Sequence, residues 1–194
     1  NGWSVTNPAN RVVGNVTQGI DGDMNYTTVQ ITGSALYNGS YHGCVHIDNG
    51  SGKNADTRTQ GTRVATQKIR FSEGSGSNFI EYIGDAYRDG GGDFRGIYGL
   101  AQFSYNDAEN KLTIKAGDGE AKQVEIIDNT WYDLKVTAVY SETGAVVTMT
   151  VGDVTVTGNA ANRDIDAITV TTINRDTSVN KFDSAEEKIA TISP

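Results

Sequence analysis

The chain has 194 residues, with 23 glycines, 9 tyrosines, 2 prolines and a single cysteine. This length fits one domain with a full core, and glycine without a Gly-X-Y period excludes collagen. The net charge is −8, and no basic stripe of the kind that binds a nucleic acid backbone is present. One cysteine, Cys44, excludes an internal disulfide. We therefore expect a single domain, 1–194, that does not bind nucleic acid.

No apolar run approaches the length that spans a membrane, and no signal peptide precedes the opening residues NGWSV. We interpret this opening as that of a mature secreted protein or an excised module. The expected location is extracellular or at the cell surface, with no membrane partner.

In the first half of the chain, three segments predict strands and two long segments between them predict loops. The strands are TTVQITG, TRVATQKIRF and NFIEYIG, and the loops are GSALYNGSYHG and HIDNGSGKNADTRTQGT. Within NFIEYIG, period two puts Phe79, Glu81 and Ile83 on one face and Tyr82 on the other. The same period, applied around Cys44, puts both neighbouring histidines on the face of the thiol.

The strand GIYGLAQFSY follows at 96–105, where a regular period groups Tyr98, Leu100 and Gln102 opposite Ile97 and Phe103. KLTIKAG and KQVEIID then form a hairpin around DGEA, and TWYDLKVTAV, VVTMTV and VTVTG follow with tight turns. AITVTTI ends the series of regular strands.

The last segment is ambiguous between two structures. SAEEKIA, at 184–190, is the best helical stretch in the chain, but it is too short to be stable alone and also fits a terminal strand, KFDSAEEKIATI. About a dozen antiparallel strands without a fixed repeat predict an all-β fold, a two-sheet antiparallel β-sandwich of jelly-roll type.

The segment that begins at Trp131 carries the most specific pattern. WYDLKV, at 131–136, is a W-Y-x-L-x-V strand, and VGD, at 151–153, is a short turn between later strands. With GWSV near the start and KFDSAEEKI near the end, the order of strands resembles the concanavalin A-like, laminin G-like sandwich over residues 70–191. The resemblance implies a carbohydrate ligand, because lectins, carbohydrate-binding modules, glycanases and lyases share that architecture. It bears on the fold more directly than on function.

Catalytic patterns of that superfamily are incomplete in this sequence. Its glycanases carry alternating carboxylates, E-x-D-x-E or E-x-D-x-x-E, whereas here only Asp164 and Asp166 share a face, beside a predicted turn. Its alginate lyases carry R-x-E-x-R, Q-x-H and Y-x-K-x-G-x-Y strands, which VHID and TIKAGDGE match only in part. His46 would be a lyase base only if a tyrosine, a glutamine and an arginine converged on it. We therefore expect a protein that is not an enzyme.

Candidate metal ligands lie in DGDMN, where Asp21, Asp23 and Asn25 occupy alternate positions. An EF-hand is excluded, because Thr32 stands where the bidentate glutamate belongs. DGGGD, at 89–93, is one copy of a glycine-rich calcium repeat that needs neighbouring copies. Because calcium is a common structural ion in the superfamily, a structural calcium is the one candidate cofactor.

Exposed aromatic residues in polar segments are the candidate ligand contacts, since sugar rings stack on aromatic faces while polar groups bond their hydroxyls. One such segment is SALYNGSYHG, and the other is DAYRDGGGDFRGIYG, in which we predict a rim loop over 85–95. The candidate ligand-binding residues are Tyr37, Tyr41, His42, Tyr82, Tyr87, Arg88, Phe94, Arg95, Tyr98 and Gln102. Trp131 is interpreted as structural.

Residues 51–104 hold seven basic and six acidic residues and form the one segment without an acidic excess. The arginines in question are Arg58, Arg63, Arg70, Arg88 and Arg95. Because guanidinium forks match carboxylates, an anionic pectin-like or alginate-like chain is a candidate ligand beside a neutral β-glycan. The alternative is that these arginines pair with acidic residues of the same segment, Glu73, Asp85, Asp89 and Asp93.

The sequence thus favours a non-catalytic carbohydrate-binding module that recognises a plant, algal or microbial polysaccharide. We expect a monomeric unit, covalently linked to a catalytic module within a larger secreted glycan-degrading enzyme. One alternative is a polysaccharide lyase or glycoside hydrolase with atypical catalytic residues, and a second is a cell-surface adhesion domain that binds a protein.

Overall fold

The computed structural model describes residues 2–6, 12–34, 42–47, 57–88, 94–172 and 177–193. In these ranges the chain forms fourteen strands and no helix, so none of it is a helix that could cross a membrane. The strands are β1 (Trp3–Val5), β2 (Val12–Asp21), β3 (Met24–Gly33), β4 (His42–Ile47), β5 (Thr62–Arg70), β6 (Phe79–Arg88), β7 (Phe94–Asn106), β8 (Lys111–Ala116), β9 (Lys122–Glu125), β10 (Trp131–Ser141), β11 (Gly144–Val151), β12 (Val154–Ala160), β13 (Ala167–Thr172) and β14 (Val179–Ser193).

The strands form two seven-stranded antiparallel sheets, which confirms the predicted β-sandwich. Sheet A has the order β1-β4-β13-β6-β7-β8-β9, and sheet B has the order β12-β11-β10-β5-β14-β3-β2. Some strands lie side by side although they are distant in sequence, such as β13 beside β6 and β14 beside β5. The crossover connections that this order requires are those of a jelly roll.

The core lies between the sheets because side chains alternate along each strand. On β10 of sheet B, Leu134, Val136 and Ala138 are buried, and on β8 of sheet A Leu112 and Ile114 are buried. A group of aromatic rings fills one part of the core and joins the two sheets: Phe71, Phe79, Phe103, Tyr105 and Phe182.

Three strands were not predicted from the sequence, namely β1, β2 and β4. On β2 the inward positions include Gly14 and Gln18, so the alternating apolar signal is weak. β4 is six residues long and carries a bulge, and all of its residues except Cys44 and Val45 lie in segments that composition assigns to loops. Polar and glycine-rich strands of this kind form because their neighbours supply the pairing, which local sequence does not report.

The ambiguous segment 184–190 is part of β14 and not a helix. A bulge interrupts its pairing with β5 between Ala185 and Lys188, and Glu186 in the bulge has a left-handed φ of 51°. The bulge turns Glu187 toward the interior, where its Oε1 accepts hydrogen bonds from Ser184 and from the indole of Trp3.

Candidate functional site

A cleft opens on the outer face of sheet A, on the side away from the core. Its volume is about 290 Å³, and it is lined by His42, Tyr82, Ile97, Gly99 and Thr171. These residues come from the four adjacent strands β4, β13, β6 and β7. Two of the five, His42 and Tyr82, are among the residues predicted to bind a ligand.

The alternation of β6 places Tyr82 at the centre of this face. Glu81 and Ile83 point into the core, while Tyr82 points outward between Thr169 of β13 and Gln102 of β7, its direct partners in the sheet. Gln102, a predicted ligand contact, therefore extends the same polar row beside the tyrosine ring. The predicted alternation of NFIEYIG is confirmed.

A bulge in β7 changes which of its side chains face the cleft. Ile83 of β6 is opposite Ala101, but the next residue, Gly84, is opposite Gly99, so that Leu100 is an extra residue. The regular period predicted for this strand is therefore wrong. Ile97 lines the cleft on the same face as Gln102, whereas Tyr98 points to the other face.

A second bulge, in β4, brings His42 to the cleft. Thr171 pairs with His42 while Val170 pairs with Cys44, so that Gly43 is the extra residue. The prediction that both histidines share the face of Cys44 is wrong for His42. His46 and Cys44 are buried in the interior, where the His46 ring meets Trp3 edge to face at 5.7 Å.

An apolar patch borders the cleft on the same face. Val45, Ala86 and Ala167 form a small buried cluster against which Phe94 and Ile97 pack. The Phe94 ring meets the His42 ring edge to face, with centroids 5.4 Å apart. Phe94, predicted as a ligand contact, thus supports the cleft wall and holds the imidazole in place.

The cleft presents uncharged polar groups at neutral pH. Burial lowers the pKa of His42 to about 4, so the imidazole is neutral, and its Nδ1 lies 2.7 Å from the Thr171 hydroxyl. Burial also raises the pKa of the Tyr82 phenol. Among the described residues that line the cleft there is neither a carboxylate nor a cation. Such a lining can form hydrogen bonds with hydroxyl groups and contact the C–H face of a ring.

Two predicted ligand residues lie elsewhere, at the end of the β6–β7 pair. The rings of Tyr87 and Tyr98 are 5.1 Å apart, and the Arg163 guanidinium lies 4.4 Å above Tyr98. Arg95 is exposed on β7. The predicted rim loop over 85–95 is wrong in extent, because β6 continues to Arg88 and β7 begins at Phe94. Tyr37, Tyr41, the segment 89–93 and the Arg88 side chain lie outside what the structure describes.

The candidate metal residues belong to the β2–β3 hairpin. Asp21 ends β2, and its Oδ2 accepts hydrogen bonds of 2.8 Å from both Arg70 and the indole of Trp131. Asp23 lies in the turn and Asn25 on β3. In the described ranges, no group of three or more metal-binding side chains occurs. The structural role assigned to Trp131 agrees with its contacts to Asp21 and, at 4.4 Å, to Arg70.

Three arginines of segment 51–104 pair with residues outside that segment. Asp164 accepts hydrogen bonds from Arg58 at 2.6 Å and from Arg63 at 3.0 Å, and Arg70 pairs with Asp21 and Asp183. The expected partners within the segment are therefore wrong for these three arginines. Since their charges are engaged at the ends of the sandwich, they do not supply a row of free cations for an anionic chain.

A buried polar network, which sequence reasoning missed, lies behind Tyr82 in the core. The amide of Gln67 donates 2.8 Å hydrogen bonds to Glu81 and to the Ser184 hydroxyl, which in turn donates to Glu187 at 2.7 Å. Burial raises the pKa of Glu81 to about 8, so that its carboxyl is protonated at neutral pH. The one sign of this network in the sequence is that Glu81 shares a strand face with the apolar residues Phe79 and Ile83.

No family model and no curated protein matches the sequence. Among solved structures, a sialidase superposes with a TM-score of 0.58 at 8% identity over 98% of this chain, which spans 17% of the sialidase. A family 7 alginate lyase, A1-II′, with bound product superposes with a TM-score of 0.53 at 13% identity, over 90% of this chain and 83% of the lyase. A second structure of that lyase gives 0.52 at 14% identity, over 90% of this chain and 82% of the lyase.

At these identities the likeness concerns the fold. The chain has the concanavalin A-like jelly-roll sandwich that the sequence predicted.

Proposed function

We propose that this protein is a carbohydrate-binding module and that it holds a polysaccharide in the cleft on the outer face of sheet A. The observation that carries the proposal is the lining itself. An outward tyrosine, a neutral histidine and a threonine hydroxyl converge beside an apolar wall of Ile97 and Phe94. Ring faces stack on aromatic surfaces, and hydroxyls pair with neutral donors and acceptors, so the lining suits a sugar.

The fold supports the same class of ligand. The alginate lyase that this chain resembles over 83% of its length acts on a polysaccharide, as its name states. We further propose that the module is secreted and attached to a catalytic partner, as expected from the sequence.

A second candidate, a polysaccharide lyase, is favoured by one specific feature. His42 is neutral at physiological pH and lines the same cleft as the Tyr82 phenol. A neutral imidazole can accept the proton that a uronate loses beside its carboxylate, and a phenol can donate a proton to the departing glycosidic oxygen. A lyase must also neutralise the uronate carboxylate. Because no cation lines the cleft among the described residues, we rank binding above elimination.

Two tyrosine variants test the site. Tyr82 faces the cleft, whereas Tyr98 is 44% exposed at the end of the sandwich, under Arg163. We expect Tyr82→Ala to weaken polysaccharide binding about tenfold or more, and Tyr98→Ala to leave it unchanged. A glycan array with neutral and acidic chains identifies the ligand, and calorimetry on the best chain measures both variants.

Other results of these measurements would point to a different site or a different function. Loss of binding in Tyr98→Ala alone moves the site to the end of the sandwich. Absorbance at 235 nm from an unsaturated product would show lyase activity, and new reducing ends without that absorbance would show hydrolysis. Failure of the wild type to bind any polysaccharide refutes the proposal and favours a protein-binding domain.

A further inference from the structure

Each sheet ends in two edge strands, and three of these four strands are protected from pairing with another chain. β1 has three residues, and β9 has four, with Lys122 and Glu125 at its ends. On β12, the backbone N–H and C=O of Asn159 bond to Asp118, and Lys122 donates to the Thr155 carbonyl at 3.0 Å. Short strands, charged side chains and covered backbone groups are the usual protection of a sheet edge.

β2, the fourth edge strand, has none of these features. It pairs with β3 over ten residues, Val12–Asp21, without a bulge. The segment Val12–Ile20 contains no charged residue and no proline. None of the described strands lies on its other side. A long, flat and uncharged edge of this kind favours pairing with a further strand.

The turn of the β2–β3 hairpin determines which backbone groups face the open side. Asp21 pairs with Met24 across the two turn residues, and the pair that closes such a turn exchanges both of its backbone hydrogen bonds. Because bonded and non-bonded pairs alternate, the odd-numbered residues of β2 bond to β3. The even-numbered residues, of which Val16 is the central one, direct their N–H and C=O groups away from β3.

We propose that β2 pairs with β2 of a second copy of this chain, antiparallel, about a two-fold axis that passes beside Val16 perpendicular to sheet B. The two copies of sheet B then form one continuous sheet. This register uses the whole uncharged segment, and its pairs include Val12 with Ile20, Val13 with Gly19, Asn15 with Thr17, and Val16 with its own copy.

The outer face of the strand is self-complementary in this register. Val13 is 61% exposed and lies opposite Gly19 of the second copy. The Tyr26 ring lies over Gly19, since a Cβ at that glycine would collide with the ring. The isopropyl group of Val13 therefore packs against the aromatic ring of the second copy, as cross-strand neighbours do. Asn15 and Thr17, both exposed, face each other as an amide and a hydroxyl that can hydrogen-bond.

The inner face and the charges favour the same partner. Ile20 is 72% exposed, and the pairing places it opposite Val12 of the second copy. Each copy has a net charge of −8, but the two copies meet along a segment that carries no charge. Two identical acidic proteins can therefore approach at this edge without placing like charges opposite each other.

The dimer has a consequence for ligand binding. A two-fold axis perpendicular to sheet B leaves the outer faces of both copies of sheet A on one side of the dimer, so the two clefts open toward the same side. One long polysaccharide can then occupy both clefts. This consequence rests on the proposed function, whereas the pairing of β2 does not.

Sedimentation velocity over a dilution series, without polysaccharide, tests the pairing. We expect the wild type to shift from monomer to dimer as its concentration rises. Asn15→Lys/Thr17→Lys places lysines opposite each other in both symmetric pairs and should raise the dimer dissociation constant about tenfold or more. Asn15→Glu/Thr17→Lys places opposite charges there and should restore the dimer. Both positions are exposed, and circular dichroism checks that each variant is folded.

The matched control is Thr155→Lys/Thr157→Lys. These two threonines are exposed at alternate positions of β12, the opposite edge strand of the same sheet. The control should leave the dissociation constant unchanged. Amide hydrogen exchange provides a second measurement, because the N–H groups of Val16 and Ile20 should exchange more slowly as the wild type dimerises.

Three results would overturn the inference: a wild type that stays monomeric at every concentration, a dimer that the lysines at positions 15 and 17 leave intact, or a dissociated variant that the Glu/Lys pair does not restore. None of them bears on polysaccharide binding. If binding and dimer both stand, Asn15→Lys/Thr17→Lys should bind a long chain more weakly than the wild type does and a short oligosaccharide equally well. Equal binding of the long chain would refute the shared orientation of the clefts.

Discussion

The carboxyl group of Glu81 makes the stability of the protein depend on pH in a predictable direction. It lies fully buried between the sheets, where Gln67 Nε2 donates a 2.8 Å hydrogen bond to its Oε1. Burial raises the pKa to about 8 from 4.5, the hydrogen bond from Gln67 opposes the rise, and the charge of Glu187 adds to it. Glu81→Gln replaces the acid with a neutral amide of the same shape.

The sign follows from proton counts. Between pH 4.5 and 8 the native state retains a proton on Glu81 that the unfolded state has lost. The free energy of unfolding of the wild type therefore falls as pH rises through this window, by about 1.4 kcal/mol per unit, and levels off above it. Glu81→Gln lacks this loss, so its stability relative to the wild type should rise by about 3 kcal/mol between pH 4.5 and 7.

Urea denaturation of both proteins at a series of pH values measures the difference directly. Glu142→Gln, in the exposed β10–β11 turn, controls for removal of one carboxylate. Glu187→Gln should lower the native pKa of Glu81, so that the decline, which still begins near pH 4.5, ends at a lower pH. A difference between Glu81→Gln and the wild type that is the same at every pH would show that the buried carboxyl ionises freely, and would refute the reasoning.

Four other changes have expected outcomes. As pH falls from 6.5 to 4, the free energy of unfolding of the wild type should fall by about 3 kcal/mol, because the buried imidazole of His42 resists protonation. His42→Asn should not show this fall, and denaturation in acid measures the difference. Arg70→Lys should cost about 1–2 kcal/mol by chemical denaturation, since an ammonium cannot serve both aspartates and stack on Trp131. Phe71→Ala should cost about 3–5 kcal/mol, because its ring joins the sheets. Cys44 should react with a thiol reagent only after unfolding, since burial raises its pKa to about 12; alkylation of the native protein at pH 8 would contradict this.

The regular strands of the second half were predictable from local pattern. On β10 and β11 every second residue is apolar, and each of those positions except Tyr132 is fully buried. A sheet with one wet face leaves this period of two in the sequence. Counting along β6 likewise grouped Glu81 with Phe79 and Ile83 on one face, and all three are buried.

The candidate site was predictable in part. His42, Tyr82 and Gln102 were selected for their chemistry and lie on one face of sheet A. Tyr87 and Tyr98 were selected on the same grounds and lie at the end of the sandwich. Composition identifies residue types suited to a sugar, but it does not say which of them share a surface.

The sequence by itself determined the class of fold, because alternation and turn residues are local properties of the chain. Only the tertiary structure decided which residues line the cleft. Two bulges reverse the alternation of side chains along their strands, and counting residues by twos assumes that this alternation is unbroken. One extra residue, Gly43, turns His42 outward, and another, Leu100, puts Ile97 and Gly99 beside Tyr82. A bulge is stabilised by pairing with distant strands, β13 for the first and β6 for the second. The residues that meet at Tyr82 therefore depend on contacts between segments far apart in sequence.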